Sequence, residues 1–208
     1  MDSQTEYAIS VQSSRQTQAG CIERRSDAVE LITTPPIDPY SYGPKPKLML
    51  KVFNFEQPVR IELYPDAAPI TVAYFLKLVG EGFYNGLRFH RAVPGFLLQG
   101  GDPTGTGDGE TEFYVKGEFA NNGIDNPLHH ERGTLSMARQ EKYDSASCQF
   151  FILVNDVPSM DGDYAAFGKV TEGIELIEAL SMLPTYANES PIAPVIIQSI
   201  TVDGEQIP

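Results

Sequence analysis

The chain has 208 residues, enough for one domain with a sizeable core. A formal net charge of −13 argues against nucleic acid as a main partner, because phosphate binding needs a basic surface. No apolar run approaches the roughly 18 residues a membrane span requires, and two cysteines, Cys21 and Cys148, do not make a disulfide framework.

Residues 1–47 lack sustained periodicity and read as an N-terminal extension ending in a Pro-rich linker. Ala19-Gly20-Cys21 is a faint match to a lipoprotein cleavage site, but polar Ser13 to Gln18 stands where an apolar segment is required. A cytoplasmic protein is therefore expected. Ala28 to Ile32 fits one helical turn or a short strand. Pro35, Pro36, Pro39, Pro44 and Pro46 predict an extended, polyproline-like connector, and the extension either packs on the domain or stays mobile.

Residues 48–208 carry the periodic signals. Leu48 to Phe53 and Val59 to Leu63 predict a strand pair turning at Asn54 to Pro58, with Val59, Ile61 and Leu63 alternating with charged residues. Asp66 and Pro69 mark a helix start; Val72, Phe75, Leu76 and Val79 follow at helical spacing, and Gly80 and Gly82 end it. The stretch from Leu87 to Asp102 reads as two short strands joined at Pro94-Gly95. Alternation puts Leu87, Phe89 and Arg91 on one face, His90 on the opposite face, and Leu97 with Gln99 on one face of the second strand. A buried Arg and Gln must be satisfied, most simply by each other, leaving a free donor toward a pocket. Alternatively, both are edge strands and Arg91 lies in solvent.

Gly100 to Gly109 is glycine-rich. A phosphate loop does not fit, because no Gly-Lys-Ser/Thr and no helix follow and Asp102, Asp108 and Glu110 would repel phosphate. A calcium loop lacks its acidic spacing. The better reading is a wall that lets a peptide backbone approach closely. Phe113 to Phe119, Thr134 to Ala138, Cys148 to Val154, Ala165 to Val170 and Val195 to Val202 read as strands, and Glu175 to Leu180 as a second short helix. Cys148 sits in an apolar pattern and reads as a buried thiol. His129 and His130 have no second ligand cluster and, with Cys148, make no convincing metal site; no metal or cofactor is expected. Many short strands, two helices and no βαβ rhythm predict a mainly β closed antiparallel barrel.

The residues Phe89-His90-Arg91, Pro94-Gly95-Phe96 and Gln99-Gly100-Gly101-Asp102 resemble the signature of the cyclophilin family of peptidyl-prolyl isomerases. Asp102 to Gly107, Gly133 to Ala138, Ser147 to Ile152 and Phe167 to Val170 continue the resemblance in the same order, over about residues 48–202. The resemblance implies an eight-stranded antiparallel barrel with a helix at each end, a packed interior and an outer active groove. It implies that Arg91 donates to the proline nitrogen, that Gln99 orients Arg91, and that Phe96, Leu97, Phe151 and Met160 form the proline pocket. Ala138 and the backbone of Arg139 would hydrogen-bond the substrate chain. Gly105 would form the groove edge, and Gln149 and Tyr164, the latter where eukaryotic members have His, would join the substrate-binding residues. Ser159 replaces a Trp that contacts cyclosporin in those members, so weaker cyclosporin inhibition is expected. The loops look more like those of bacterial members. Expected partners are proline-containing peptides and unfolded segments, with no nucleic acid and no membrane, for a monomeric enzyme that assists folding.

No nucleophile–base pair or paired carboxylates stand out, so hydrolysis and group transfer are disfavoured. Rotation about an Xaa-Pro bond breaks no covalent bond and suits these residues. A non-catalytic proline-peptide binding module, acting as chaperone or scaffold, would use the same apolar pocket but would not need the arginine donor.

Overall fold

The computed structural model describes residues 30–203; Cys21 and the segment around it lie outside the described residues. The elements run β1 (Glu30–Ile32), β2 (Lys47–Val52), β3 (Val59–Leu63), α1 (Pro69–Gly80), β4 (Arg88–Val93), β5 (Leu97–Gly100), β6 (Phe113–Val115), β7 (Thr134–Met137), β8 (Phe150–Leu153), β9 (Ala166–Glu172), α2 (Ile174–Ser181) and β10 (Val195–Val202).

Eight strands close into an antiparallel barrel in the order β10-β2-β3-β9-β7-β8-β5-β4. Alternation drives this closure. Leu48, Leu50 and Val52 of β2 and Val59, Ile61 and Leu63 of β3 are buried, and the residues between them face outward. The interior is filled by side chains. Phe75 of α1 stacks on Tyr84, 4.9 Å between centroids, and meets Phe167 of β9 at 5.0 Å and Phe150 of β8 at 5.4 Å. These contacts bind the helix to the barrel, since each buried aromatic removes a large apolar surface from water. The second helix buries Ile177 and Leu180 and contacts β4 and β5.

Helix α1 begins where Pro69 predicts, yet Asp66 does not cap it. Asp66 accepts the Tyr40 hydroxyl at 2.8 Å. The open N–H groups of Ile70 and Thr71 instead donate to the carboxylate of Glu118, at 3.0 and 2.8 Å, and the Thr71 hydroxyl adds a third bond at 2.6 Å. Glu118 is 2% exposed, and burial pushes its carboxyl upward despite these donors. Glu118→Ala strands the donors at a buried helix end and is expected to destabilise by about 2–3 kcal/mol. Urea denaturation followed by circular dichroism reads this as a lower midpoint at unchanged slope; an unchanged midpoint removes Glu118 as the cap.

Two sequence expectations need correction here. The Pro-rich connector is not polyproline-like. Ser41 and Gly43 donate backbone bonds to Asp38 and Tyr40, at 3.1 and 2.9 Å, and the Asp38 carboxylate accepts the Tyr40 N–H at 2.9 Å. Pro39 is buried, and Ile37 and Tyr42 pack on the core. An extended connector would leave those apolar side chains in water. The segment Ala28 to Ile32 resolves, over its described part, as strand β1, paired in parallel with β6 outside the barrel. That second strand is shorter than expected. Its exit is redirected where Lys116 donates to Ile32 at 3.0 Å and Gly117 to Asp144 at 2.9 Å.

Candidate active site

The outer face of β4, β5, β8 and β7 carries one cross-strand row: Arg91 opposite Gln99, Gln99 opposite Phe151, and Phe151 opposite Ser136. The next row sets Val93 opposite Leu97 and Leu97 opposite Leu153. Residues one step along each strand, Ala92, Leu98 and Ile152, point into the barrel.

This arrangement overturns the expected face for Phe89 and His90. Phe89 pairs with Gly100 while Arg91 pairs with Gln99, so β4 spends two residues where β5 spends one. The extra residue is a β-bulge at His90. It turns Phe89 inward, where it is fully buried, and Arg91 outward. Strict alternation would have kept them together. The bulge also brings His90 to the same groove as Arg91 rather than to the opposite face.

Leu97, Phe151 and Leu153 form a buried apolar cluster separate from the main core, flanked by Val93, Phe96, Ala138, Val157, Met160 and Tyr164. The cluster floors an open groove of about 1220 Å³. Of the residues expected there, Arg91, Phe96, Leu97, Gln99, Gly105, Ala138, Arg139, Phe151, Met160 and Tyr164 all line it. Gln149 does not. It sits one bond behind, where its amide nitrogen donates to the carbonyls of Gly107 and Gly109, at 2.9 and 2.8 Å, and its oxygen accepts from Gln99 at 2.9 Å. The Gln99 oxygen in turn accepts from Arg91 Nη1 at 3.4 Å. A chain of polar contacts thus links the glycine-rich loop to the guanidinium.

The firmer hold on Arg91 is a residue not singled out from the sequence. Glu189, in the loop after α2, accepts Arg91 Nε at 2.6 Å, and its own carbonyl accepts the Ala92 N–H at 2.9 Å. The loop folds back through Tyr186 N to Ser190 O, 2.9 Å, and Glu189 takes a left-handed φ of 64° that costs a non-glycine residue free energy. Nothing in the local sequence marks Glu189, since its partner is distant along the chain.

Ala138 lines the groove as expected, and its backbone donor is already engaged. Its N–H is taken by the Gln149 carbonyl at 2.9 Å, so a substrate bond from this residue falls to its own carbonyl oxygen. The Arg139 side chain donates from Nε to the Asp163 carbonyl at 2.8 Å and lies 4.7 Å from the Tyr164 ring centroid. Behind Phe151, His130 is buried. Asp161 accepts from its Nδ1 at 3.0 Å, so Nε2 accepts the Ser136 hydroxyl at 3.1 Å. Burial lowers the His130 pKa, and a neutral ring matches that tautomer. His129 also donates to Asp161, at 2.8 Å.

The loop edge is set by Asp102. Its carboxylate accepts the Thr104 N–H at 2.7 Å, the Thr104 hydroxyl at 2.8 Å and the Gly107 N–H at 2.5 Å. Burial works to raise this carboxyl, but the donated hydrogen bonds outweigh it and hold it below the usual carboxylate range. A side chain at Gly109 would put its Cβ 1.8 Å from Asp102 Oδ1, which is why glycine is required there. Burial pushes the Cys148 thiol up to about 11, so it remains protonated and chemically quiet at neutral pH.

A family model described as cyclophilin type peptidyl-prolyl cis-trans isomerase/CLD matches residues 50–202. The chain is 49% identical to peptidyl-prolyl cis-trans isomerase B of Bacillus subtilis over 123 residues, 59% of this chain and 82% of that one. It is 40% identical to the Schizosaccharomyces pombe isomerase ppi1 over 146 residues, 69% of this chain and 92% of that one. A Cryptosporidium parvum cyclophilin-type isomerase crystal structure superposes with TM-score 0.71 at 30% identity, covering 77% of this chain and 99% of that one. A second crystal structure of that protein, in the presence of the dipeptide Ala-Pro, gives TM-score 0.69 at 31% identity, covering 76% and 99%. The closed barrel with its outer groove defines a cyclophilin-type isomerase fold. The chain belongs to the cyclophilin-type peptidyl-prolyl cis-trans isomerase family, and its activity is cis-trans isomerisation of peptidyl-prolyl bonds.

Proposed function

We propose that the outer groove holds proline-containing peptides and unfolded segments, with the proline ring on Leu97, Phe151 and Met160 and the Arg91 guanidinium over its nitrogen. The observation that carries this reading is the position of Arg91 at the rim of an apolar cluster that the core does not need. Nε is committed to Glu189 and Nη1 to Gln99, leaving other N–H groups for a ligand.

The chemistry follows from the amide. Rotation faces a barrier of about 18–20 kcal/mol because resonance is lost at the twist. The twisted nitrogen regains a lone pair. A donor aimed at it stabilises the transition state and not the planar ground state, which is what acceleration requires. A ~10⁵-fold acceleration needs roughly 7 kcal/mol. One charge-assisted hydrogen bond supplies about 1.5–3 kcal/mol. The remainder comes from holding the peptide while one carbonyl turns, and from the apolar floor.

The test is the isomerisation rate of a short Ala-Pro peptide, measured together with its binding. Strong acceleration supports the reading. Binding without acceleration makes the groove a recognition site instead. The groove is complete within one chain, which supports a monomer as the working unit. Ser159 offers no indole donor or ring beside Met160, so cyclosporin is expected to inhibit about tenfold or more weakly than it inhibits a member with Trp there. Inhibition titrations on wild type and Ser159→Trp check this; equal inhibition of the two rejects it.

A further inference from the structure

We propose that the groove corner between Arg88, His90 and Gly105 to Gly107 is a subsite for an anionic side chain near the substrate proline, a carboxylate or a phosphate monoester. The inference rests on the groove being the peptide site.

Charge points first. The chain carries −13 overall, yet among the described residues three arginines and no carboxylate line the groove. The three differ in how they are satisfied. Arg91 is paired with Glu189. Arg139 spends Nε on the Asp163 carbonyl and Nη1 on the carbonyls of Gln140 and Glu141. Arg88, exposed at the outer end of β4, makes no side-chain hydrogen bond or ion pair with any described residue.

Arg88 is nonetheless seated. Its guanidinium lies against Gly105, where an added Cβ would come 2.3 Å from Nε and 2.9 Å from Cζ. The φ of +67° at residue 105 favours glycine, and the missing side chain leaves room for the Arg88 guanidinium there. The guanidinium rests on the bare backbone of Gly105 with its donors open, a geometry that suits a carboxylate or phosphate.

His90 supplies an independent sign. It is 5% exposed, lines the same groove, and among the described residues neither ring nitrogen meets a hydrogen-bond partner. Its ring edge lies 3.9 Å from where a Cβ at Gly107 would sit, an ordinary contact with the loop. A neutral imidazole carries one N–H donor; both ring nitrogens are shut off from solvent, so the ring walls the corner and reaches a bound acceptor only by turning toward it. The nearby carboxylates do not cancel the corner. Asp102 is occupied by Thr104 and Gly107, Glu110 bonds Tyr114 and Gln140, and Asp108, exposed on the same loop, forms no ion pair with Arg88.

The test is a peptide series in which Glu, Gln, Lys and phosphoserine are placed in turn at the two positions before and the two positions after proline. Both kcat/KM and affinity are read for wild type and Arg88→Gln. At one position wild type is expected to prefer Glu over Gln by about threefold to tenfold, and to disfavour Lys. The preference shrinks with added salt and falls to about one in Arg88→Gln. The phosphoserine arm tells whether carboxylate or phosphate is the better ligand. In wild type the His90 ring resonances are expected to shift with the Glu peptide and not with its Gln partner. Equal Glu and Gln values at every position, or a preference that survives Arg88→Gln, overturns the subsite. If no peptide is isomerised, the catalytic reading fails separately, and the affinity series still decides the subsite.

Discussion

Arg91→Ala is expected to lower kcat/KM for an Ala-Pro peptide by about 10- to 100-fold, almost all of it in kcat, with peptide affinity held within about threefold. The expectation follows from where the guanidinium sits. It is at the rim of the apolar floor, not part of it, so the floor of Leu97 and Phe151, backed by Leu153, survives its removal. What is lost is a donor that matters when the nitrogen becomes basic, during the twist. Arg91→Lys should recover little. An ammonium cannot present one N–H to Glu189 and another to Gln99 while leaving a planar edge for the substrate. Rate measurements from the cis-enriched peptide, with a parallel binding titration, decide the matter. A loss of affinity as large as the loss of rate would show Arg91 to be a ground-state contact, and an unchanged rate would remove it from the mechanism.

Phe151→Ala carries the second large effect, and it falls on stability and binding together. Phe151 is 2% exposed, pairs with both Gln99 and Ser136, and meets Tyr164 edge-on at 5.9 Å. Truncating a buried Phe costs about 3–5 kcal/mol, from lost transfer free energy and the cavity left behind. Here the cavity opens into the groove and uncovers the His130–Ser136 pair behind it. A fall in denaturation midpoint together with loss of measurable Ala-Pro peptide binding is expected. Phe151→Leu separates the two roles, because it keeps most of the volume. Its stability should stay within about 1.5 kcal/mol of wild type while affinity drops. Wild-type affinity in Phe151→Leu would mean that Phe151 serves the fold and not the pocket.

Much of this architecture could be read without coordinates, because local patterns carried it. Strand β10 runs over the residues its alternation marks, Val195–Val202, and α1 starts at the proline that predicts it. The outward set of Leu97, Gln99, Phe151 and Leu153 follows from a two-residue period in two separate strands. Of the site residues that the resemblance implied, Gln149 alone stands back from the groove.

What escaped the sequence is decided by contacts between distant segments. The period of two gives the wrong face for Phe89 relative to Arg91, because a bulge is a property of two strands in register and not of one strand's composition. Glu118 caps α1 from outside its own helix, satisfying donors that the local start signal of Asp66 and Pro69 leaves open. Proline content suggested an extended connector, but burial of Ile37 and Tyr42 on the barrel turned it into docked turns. Glu189 reaches the arginine across a large separation in sequence, so no motif could announce it. Chain chemistry alone specified which faces are apolar and which residues can donate, since those depend on side-chain type and period. Which donor meets which acceptor waited on the closed barrel, because closure sets the neighbours and burial then makes an unmet donor costly.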